Sequence, residues 1–190
     1  MEHTKIKRSK DSIRNALLTL LKDTSIEKIT ISDLTREAKV NRSTFYSHYV
    51  DKINLIEDLE SFFIAEIDKT LNEKFENNTV EQGIIMSIQK LVYFALEPTH
   101  FSFLKLMLSQ NGDPKFADKI SESISKQIAT VTRKENKASL YVRRFVSRGL
   151  LELIIVWLAD EERPAPEEFI ELVKKSQLFS PMQLVLHQNI

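Results

Sequence analysis

Residues 40–52 read VNRSTFYSHYVDK. Asn41, Arg42, Ser43, Thr44, Tyr46, Ser47, His48, Tyr49 and Lys52 all carry hydrogen-bonding side chains, and Asp51 is the one acid among them. So many donors with so little negative charge suit a polyanion. Phosphate oxygens accept from hydroxyl, imidazole, guanidinium and ammonium groups, while Arg and Thr also reach base edges. Other chemistries lack their residues. There is no cysteine, hence no disulfide framework and no thiolate metal site. His48 has no carboxylate or second histidine at ligand spacing, so no metal is expected. No G-x-S-x-G or H-E-x-x-H occurs, and Gly83, Gly112 and Gly149 are too isolated to build a phosphate-cradling loop. The acids fall in helix-surface patterns without a dyad. Neither an enzyme nor a cofactor is expected.

The elements around this segment are helical. The chain has 190 residues with only three Gly and five Pro, and long stretches run without a breaker. An all-α fold of about nine helices follows. Ile13, Ala16, Leu17, Leu20 and Leu21 form one apolar face of a first helix, with Ser9 as its expected N-cap. Thr30 is the expected N-cap of a short second helix, with Asp33 completing a capping box. Asn41 is placed to cap a third helix, Arg42 to about Tyr49, with Phe45 and Tyr49 packed inward. Asp51 is placed to cap a fourth, running to about residue 77. Further helices are expected at about 80–96, 99–109, 115–132, 136–160 and 166–178, with a strong turn at Asn111-Gly112-Asp113-Pro114.

Equal totals of 27 basic and 27 acidic side chains hide an asymmetry. Residues 1–52 hold 11 Lys/Arg against 7 Asp/Glu, and residues 53–190 hold 16 against 20. The excess is small, but its sign at one end agrees with a polyanionic partner there. The longest apolar run, residues 150–159, contains Glu152 and is half the ~20 residues of a membrane span. With no signal-peptide pattern at the N-terminus, a cytoplasmic protein without membrane association is expected.

Two short helices joined by a tight turn make a helix-turn-helix, a unit that lays its second helix in the DNA major groove. The stretch ITISDLTREAKVNRSTFYSHYVDKINLI, residues 29–56, resembles the DNA-binding domain of the tetracycline-repressor (TetR/AcrR) family. The matching positions are Thr30, the run Ser43-Thr44-Phe45-Tyr46-Ser47-His48-Tyr49, Lys52 and Leu55. The resemblance implies a DNA-binding domain over 1–52 and a helical ligand-binding and dimerisation domain over 53–190. It implies that Thr30, Tyr46, His48 and Lys52 hold phosphates, and that Arg42, Ser43, Thr44 and Ser47 face bases or nearby phosphates. Asn41, in the same donor cluster, completes the set. Lys5, Lys7 and Arg8 are candidates for an arm near a minor groove. One departure stands out: Lys39 takes a turn position that the family usually gives to glycine, where a left-handed backbone costs roughly 1 kcal/mol.

Downstream, Leu150 to Leu158 leave little polar face on the helix 136–160, so that helix must be covered on more than one side. Core packing alone would suffice. The family resemblance implies instead a homodimer in which helices 136–160 and 166–178 pair with their two-fold mates. Tyr141, Phe145, Gly149 and Trp157-Leu158 also resemble a C-terminal module of dihydroxyacetone-kinase-type regulators. Tyr93, Phe94, Phe103, Met107, Tyr141, Phe145 and Trp157 are candidates to line a pocket for a small apolar or aromatic effector. A filled core is the alternative for each. Arg144, Arg148 and Glu152, at i, i+4 and i+8, read as a solvent ion-pair line, with an anion-binding role for Arg144 or Arg148 as the alternative. The functional expectation is a dimeric DNA-binding regulator, a repressor released by a small molecule. Its rivals are the same fold acting as an activator or through a protein partner, and an unrelated helical enzyme or scaffold.

Overall fold

The computed structural model describes residues 2–71, 80–131 and 137–178. Among them are nine helices and no strand: α1 (Glu2–Leu20), α2 (Ile31–Glu37), α3 (Arg42–Tyr46), α4 (Lys52–Leu71), α5 (Val80–Leu96), α6 (Pro98–Met107), α7 (Pro114–Val131), α8 (Lys137–Ala159) and α9 (Pro166–Leu178). The expected run of the fourth helix to residue 77 and the tail from Ser180 lie outside the described residues.

Two helix boundaries differ from expectation. Helix α1 begins at Glu2, not at Ser9. Ser9 and Ser12 fold their hydroxyls back onto the carbonyls of Ile6 (3.0 Å) and Arg8 (2.9 Å), so they continue the helix instead of starting it. Helix α3 ends at Tyr46, with Ser47 as its C-cap, and Tyr49 is reached through a turn. Tyr49 is nevertheless buried, its ring 5.8 Å from that of the fully buried Phe45.

The chain divides into two compact units. The first comprises residues 1–63 and 106–116, the second 64–105 and 117–190. The first takes in the N-terminal half of α4. An ionic junction accounts for this. Asp58 on α4 accepts from Lys10 Nζ (3.0 Å) and Arg14 Nη2 (2.6 Å) on α1, and from the Tyr49 hydroxyl (3.2 Å). Around it Ile13, Leu17, Leu34, Phe45, Leu55 and Leu59 are buried. The distant segment 106–116 joins the same unit through backbone pairing: Ile26 N–H donates to the Asn111 carbonyl at 2.7 Å, and Asn111 Nδ2 to the Leu21 carbonyl at 3.3 Å. Gly112 is required there, because a Cβ would lie 2.0 Å from the Met107 carbonyl oxygen.

In the second unit α5 and α8 both pack on α9. The Trp157 ring stacks on Phe169 at 4.7 Å, and its indole N–H donates to the Pro164 carbonyl at 3.0 Å. The buried face of α8 is Ser147, Leu150, Leu151, Ile154, Trp157 and Leu158. No helix among the described residues is long and apolar enough to cross a membrane.

The ionic junction makes the first unit acid-sensitive. Burial alone would raise the Asp58 pKa, but the hydrogen bonds from Arg14 and Lys10 outweigh it and hold the carboxyl below its ordinary 3.8. A depressed native pKa adds stability above the unfolded value and loses it as pH falls through the native one. Asp58→Asn should therefore cost about 2 kcal/mol at pH 7, the scale of hydrogen bonds to a charged group. The wild-type/variant difference should shrink below about pH 4. Urea unfolding followed by circular dichroism across pH 3–7 measures both; a pH-independent difference would rule the junction out as its source.

Candidate nucleic-acid interface

The helix-turn-helix is assembled by its caps, since neither short helix holds itself. Thr30 Oγ1 accepts from Asp33 N–H (3.2 Å), and the Thr30 N–H donates to Asp33 Oδ2 (3.1 Å), the expected capping box. The hydrogen bond from the Thr30 hydroxyl (2.6 Å), before all else, lowers the Asp33 pKa. At the other end of α2, Lys39 adopts φ 53°, the one left-handed non-glycine residue among those described. Lys39 N–H donates to the Arg36 carbonyl (3.2 Å) and Val40 N–H to that of Thr35 (3.0 Å), the paired bonds of a Schellman cap. The turn thus keeps its geometry despite the missing glycine. The cap satisfies two helix-end carbonyls that offset the roughly 1 kcal/mol backbone cost.

Asn41 then caps α3. Its Oδ1 accepts from Thr44 N–H (3.0 Å), the Ser43 hydroxyl (2.8 Å) and the Thr44 hydroxyl (2.7 Å). The Ser47 hydroxyl donates to the Thr44 carbonyl at 2.8 Å. Asn41 thus organises the helix end, and the hydroxyls of Ser43, Thr44 and Ser47 are turned onto their own helix. Arg42 is exposed and donates to the Ser32 hydroxyl on α2. Tyr46 is 55% exposed, its ring edge-on to the buried Phe45 at 5.6 Å. Thr30, Asn41, Arg42, Ser43, Tyr46 and Ser47 are all exposed, and Thr44 is half-buried. Lys7 and Arg8 are exposed on α1.

Two of the expected phosphate ligands are engaged within the protein. His48 is half-buried, with Nε2 2.7 Å from the Ser9 hydroxyl on α1. The Lys52 ammonium donates to the carbonyls of Ile26 (2.8 Å), Glu27 (3.0 Å) and Ile29 (2.7 Å). An ammonium has three donors, and here all three are spent. In this arrangement Lys52 fastens the start of α4 to the loop that precedes α2. Sequence spacing could not reveal this, because its acceptors are backbone oxygens more than twenty residues upstream. Asp58 was also missed. The signal available was Lys10 and Arg14, four residues apart on α1 and flanking its inward-facing Ile13 and Leu17.

The aromatic effector set is not brought together. Tyr141 (69% exposed) and Phe145 (70%) sit on the outer face of α8, roughly opposite its buried face. The apolar crowding of residues 150–158 did not reveal which side of α8 was covered. Both are withdrawn as pocket residues. Tyr93 is half-exposed and donates to Glu167 (3.3 Å), and Phe94 stacks on His100 at 4.1 Å. Phe103, Met107 and Trp157 are fully buried core side chains.

The fold agrees with that of solved structures. Residues 88–177 match a family model of TetR C-terminal regions, described as a transcriptional regulator C-terminal region. A TetR transcriptional regulator from Streptococcus agalactiae 2603V superposes with a TM-score of 0.65 at 23% identity, covering 92% of this chain and 96% of that one. NalD of Pseudomonas aeruginosa, the secondary repressor of the MexAB-OprM multidrug efflux pump, gives 0.64 at 15% identity, covering 91% and 96%. The chain has the fold of these regulators, and its residues 88–177 resemble their C-terminal region. Among curated proteins it is 25% identical over 168 residues to an HTH-type transcriptional regulator of Bacillus subtilis, YxbF. That match takes in 85% of this chain but only 42% of the relative's length. The proteins it matches are regulators, not enzymes.

The reassignment of Lys52 is testable. Lys52→Met keeps the aliphatic stem but leaves three carbonyls without their donor. It should lower unfolding free energy by about 2 kcal/mol, whereas Arg42→Ala at the exposed surface should stay within about 0.5 kcal/mol. Chemical denaturation of the two variants decides; equal stabilities would return Lys52 to the surface.

Proposed function

We propose that this chain is a dimeric, sequence-specific DNA-binding regulator of transcription, acting as a repressor that a small molecule releases from its operator. The observation that carries the DNA reading is the capped α2–α3 unit. It presents Arg42, Ser43, Tyr46 and Ser47 outward on a helix anchored by Phe45. In that reading Thr30, Tyr46 and His48 hold phosphates, and Arg42, Ser43, Thr44 and Ser47 read bases or adjacent phosphates. Lys52 serves by positioning. Asn41 holds the helix start from which these groups project. The local hydrogen bonds of the hydroxyls are exchanged for bonds to DNA at little net cost. Residues 1–52 hold the DNA-contacting elements, 53–190 serve regulation and dimerisation, and the protein works in the cytoplasm.

The dimer reading rests on α8. Tyr141, Val142, Phe145 and Val156 are 59–70% exposed on one side of it. Gly149 lies in the same stripe with no heavy atom within 4 Å of where its Cβ would stand. An apolar helix face left uncovered in this way suits a second copy of the same helix across a two-fold axis. Two copies of a five-residue recognition helix would then read two half-sites, about 34–36 Å apart in simple helix-turn-helix dimers. A second reading uses the same exposed aromatics: a C-terminal region of the dihydroxyacetone-kinase type that answers to a protein partner.

Selection of bound sequences from random duplex DNA tests the main reading. A palindromic site is expected, with affinity falling steeply as salt rises; absence of enrichment at low salt would end it. Tyr46→Ala should weaken all sequences about equally, while Arg42→Ala should relax preference at one base pair, by roughly 1–3 kcal/mol of discrimination. Phe145→Glu should weaken the dimer by about 2 kcal/mol, near 30-fold in Kd. Sedimentation equilibrium reads this out, and an unchanged dimer would favour the protein-partner reading.

A further inference from the structure

Between α7 and α8 lies a cleft of ≈ 650 Å³, within the ~300–1,000 Å³ range of small-molecule sites. Its lining is unlike the aromatic set expected from the sequence. Four cations face it, Lys126, Arg143, Arg144 and Arg148, against two acids, Asp118 and Glu122. Both acids are committed: Asp118 to Arg148 at 2.7 Å, Glu122 to Lys126 at 3.0 Å. The guanidinium groups of Arg143 and Arg144 are left without a carboxylate among the described residues.

Arg143 is the telling member. Its Nε and Nη1 are shut off from solvent and reach no acceptor. A guanidinium is charged at every physiological pH, so it cannot relieve this by losing a proton. Buried donors left unmade are costly, and in native proteins such groups are almost always satisfied. Two serines line the same cleft: Ser147 is fully buried and donates to the Arg144 carbonyl at 3.2 Å, with its hydroxyl oxygen 3.2 Å from that of Ser121. Ala129 and Leu140 add apolar wall.

We infer that this cleft binds a small organic anion, its carboxylate or phosphate head held by Arg143 with Arg144, its apolar part against Ala129 and Leu140. A planar guanidinium pairs with either head group bidentately. The binding site itself owes nothing to the DNA reading; that the anion is the effector rests on it.

Isothermal titration of the full chain with inorganic phosphate, phenyl phosphate and benzoate, at ionic strength held constant with chloride, tests the site. One saturable site per chain is expected, with the organic anions at least tenfold tighter than inorganic phosphate. A tenfold or greater preference between phenyl phosphate and benzoate identifies the head group. Arg143→Gln should weaken binding at least tenfold, and Arg143→Lys should recover part of it. Should Arg143→Gln fail to fold, Ser125→Phe, which fills the cleft and leaves every charge in place, must abolish binding instead. No saturable heat from any of the three anions, or unchanged affinity in both Arg143→Gln and Ser125→Phe, would overturn the inference. So would an Arg143→Gln variant whose only defect is a weaker dimer, since the guanidinium would then be paired by a second copy of the chain. A gel-shift titration of bound operator with the tighter anion separates the two claims. Saturable binding without release keeps the site and counts against the effector role alone.

Discussion

One carboxylate organises the N-terminal unit. Asp58 takes a hydrogen bond from each of Lys10, Arg14 and Tyr49, and these residues come from α1, the turn after α3, and α4. None of the short elements could hold its place by its own hydrogen bonds: α2 spans seven residues and α3 five, well below the length at which an isolated helix is stable. Packing of Phe45, Leu34 and Leu17 supplies the cohesion, but apolar contacts are non-directional. The bonds to Asp58 add direction. Partial burial strengthens them and at the same time raises the Tyr49 pKa, first by desolvation and then through the nearby Asp58 charge.

A second fastening is cationic. The Lys52 ammonium gathers three carbonyls of residues 26–29. The loop that precedes α2 and the first residue of α4 thereby move as one body. Asp58 and Lys52 lie on the same helix, two turns apart, and hold opposite neighbours. Any tilt of the first half of α4 would be passed to α1 through one and to the start of α2 through the other. In a regulator, such linkage is what a change at α4 would need in order to reach α3.

Much of this was legible in the sequence wherever the signal was local. Thr30 with Asp33, Asn41 before Arg42, and the Asn111–Pro114 turn are short-range chemistry, and each occurs as expected. The inward pair Phe45 and Tyr49 was legible from its spacing. What failed was long-range. The acceptors of Lys52 are main-chain atoms and leave no mark in residue types. Ser9 resembled a cap because serine serves both at helix starts and, turned back on i−3, inside helices. On α8 the residue types offered Tyr141 and Phe145 as pocket candidates but said nothing of which side would find neighbours. That depends on α9 and its Phe169, Ile170 and Val173. The charge pattern of the α7–α8 cleft was legible only in part: an anion-binding role was one reading of Arg144 and Arg148, but Arg143 appears as an ordinary helix-surface cation until α7 is placed beside it.

Helix α3 has barely more than one turn, and its orientation is fixed from outside itself, by the Asn41 cap before it, Phe45 beneath it and Tyr49 beyond it. Its outward positions consequently contribute little to folding. Arg42, Ser43, Tyr46 and Ser47 can be exchanged while the scaffold stays intact, so mutation is free to explore new surfaces there without first crossing a valley of unfolded intermediates. A short helix held only by its frame is one that can diverge quickly.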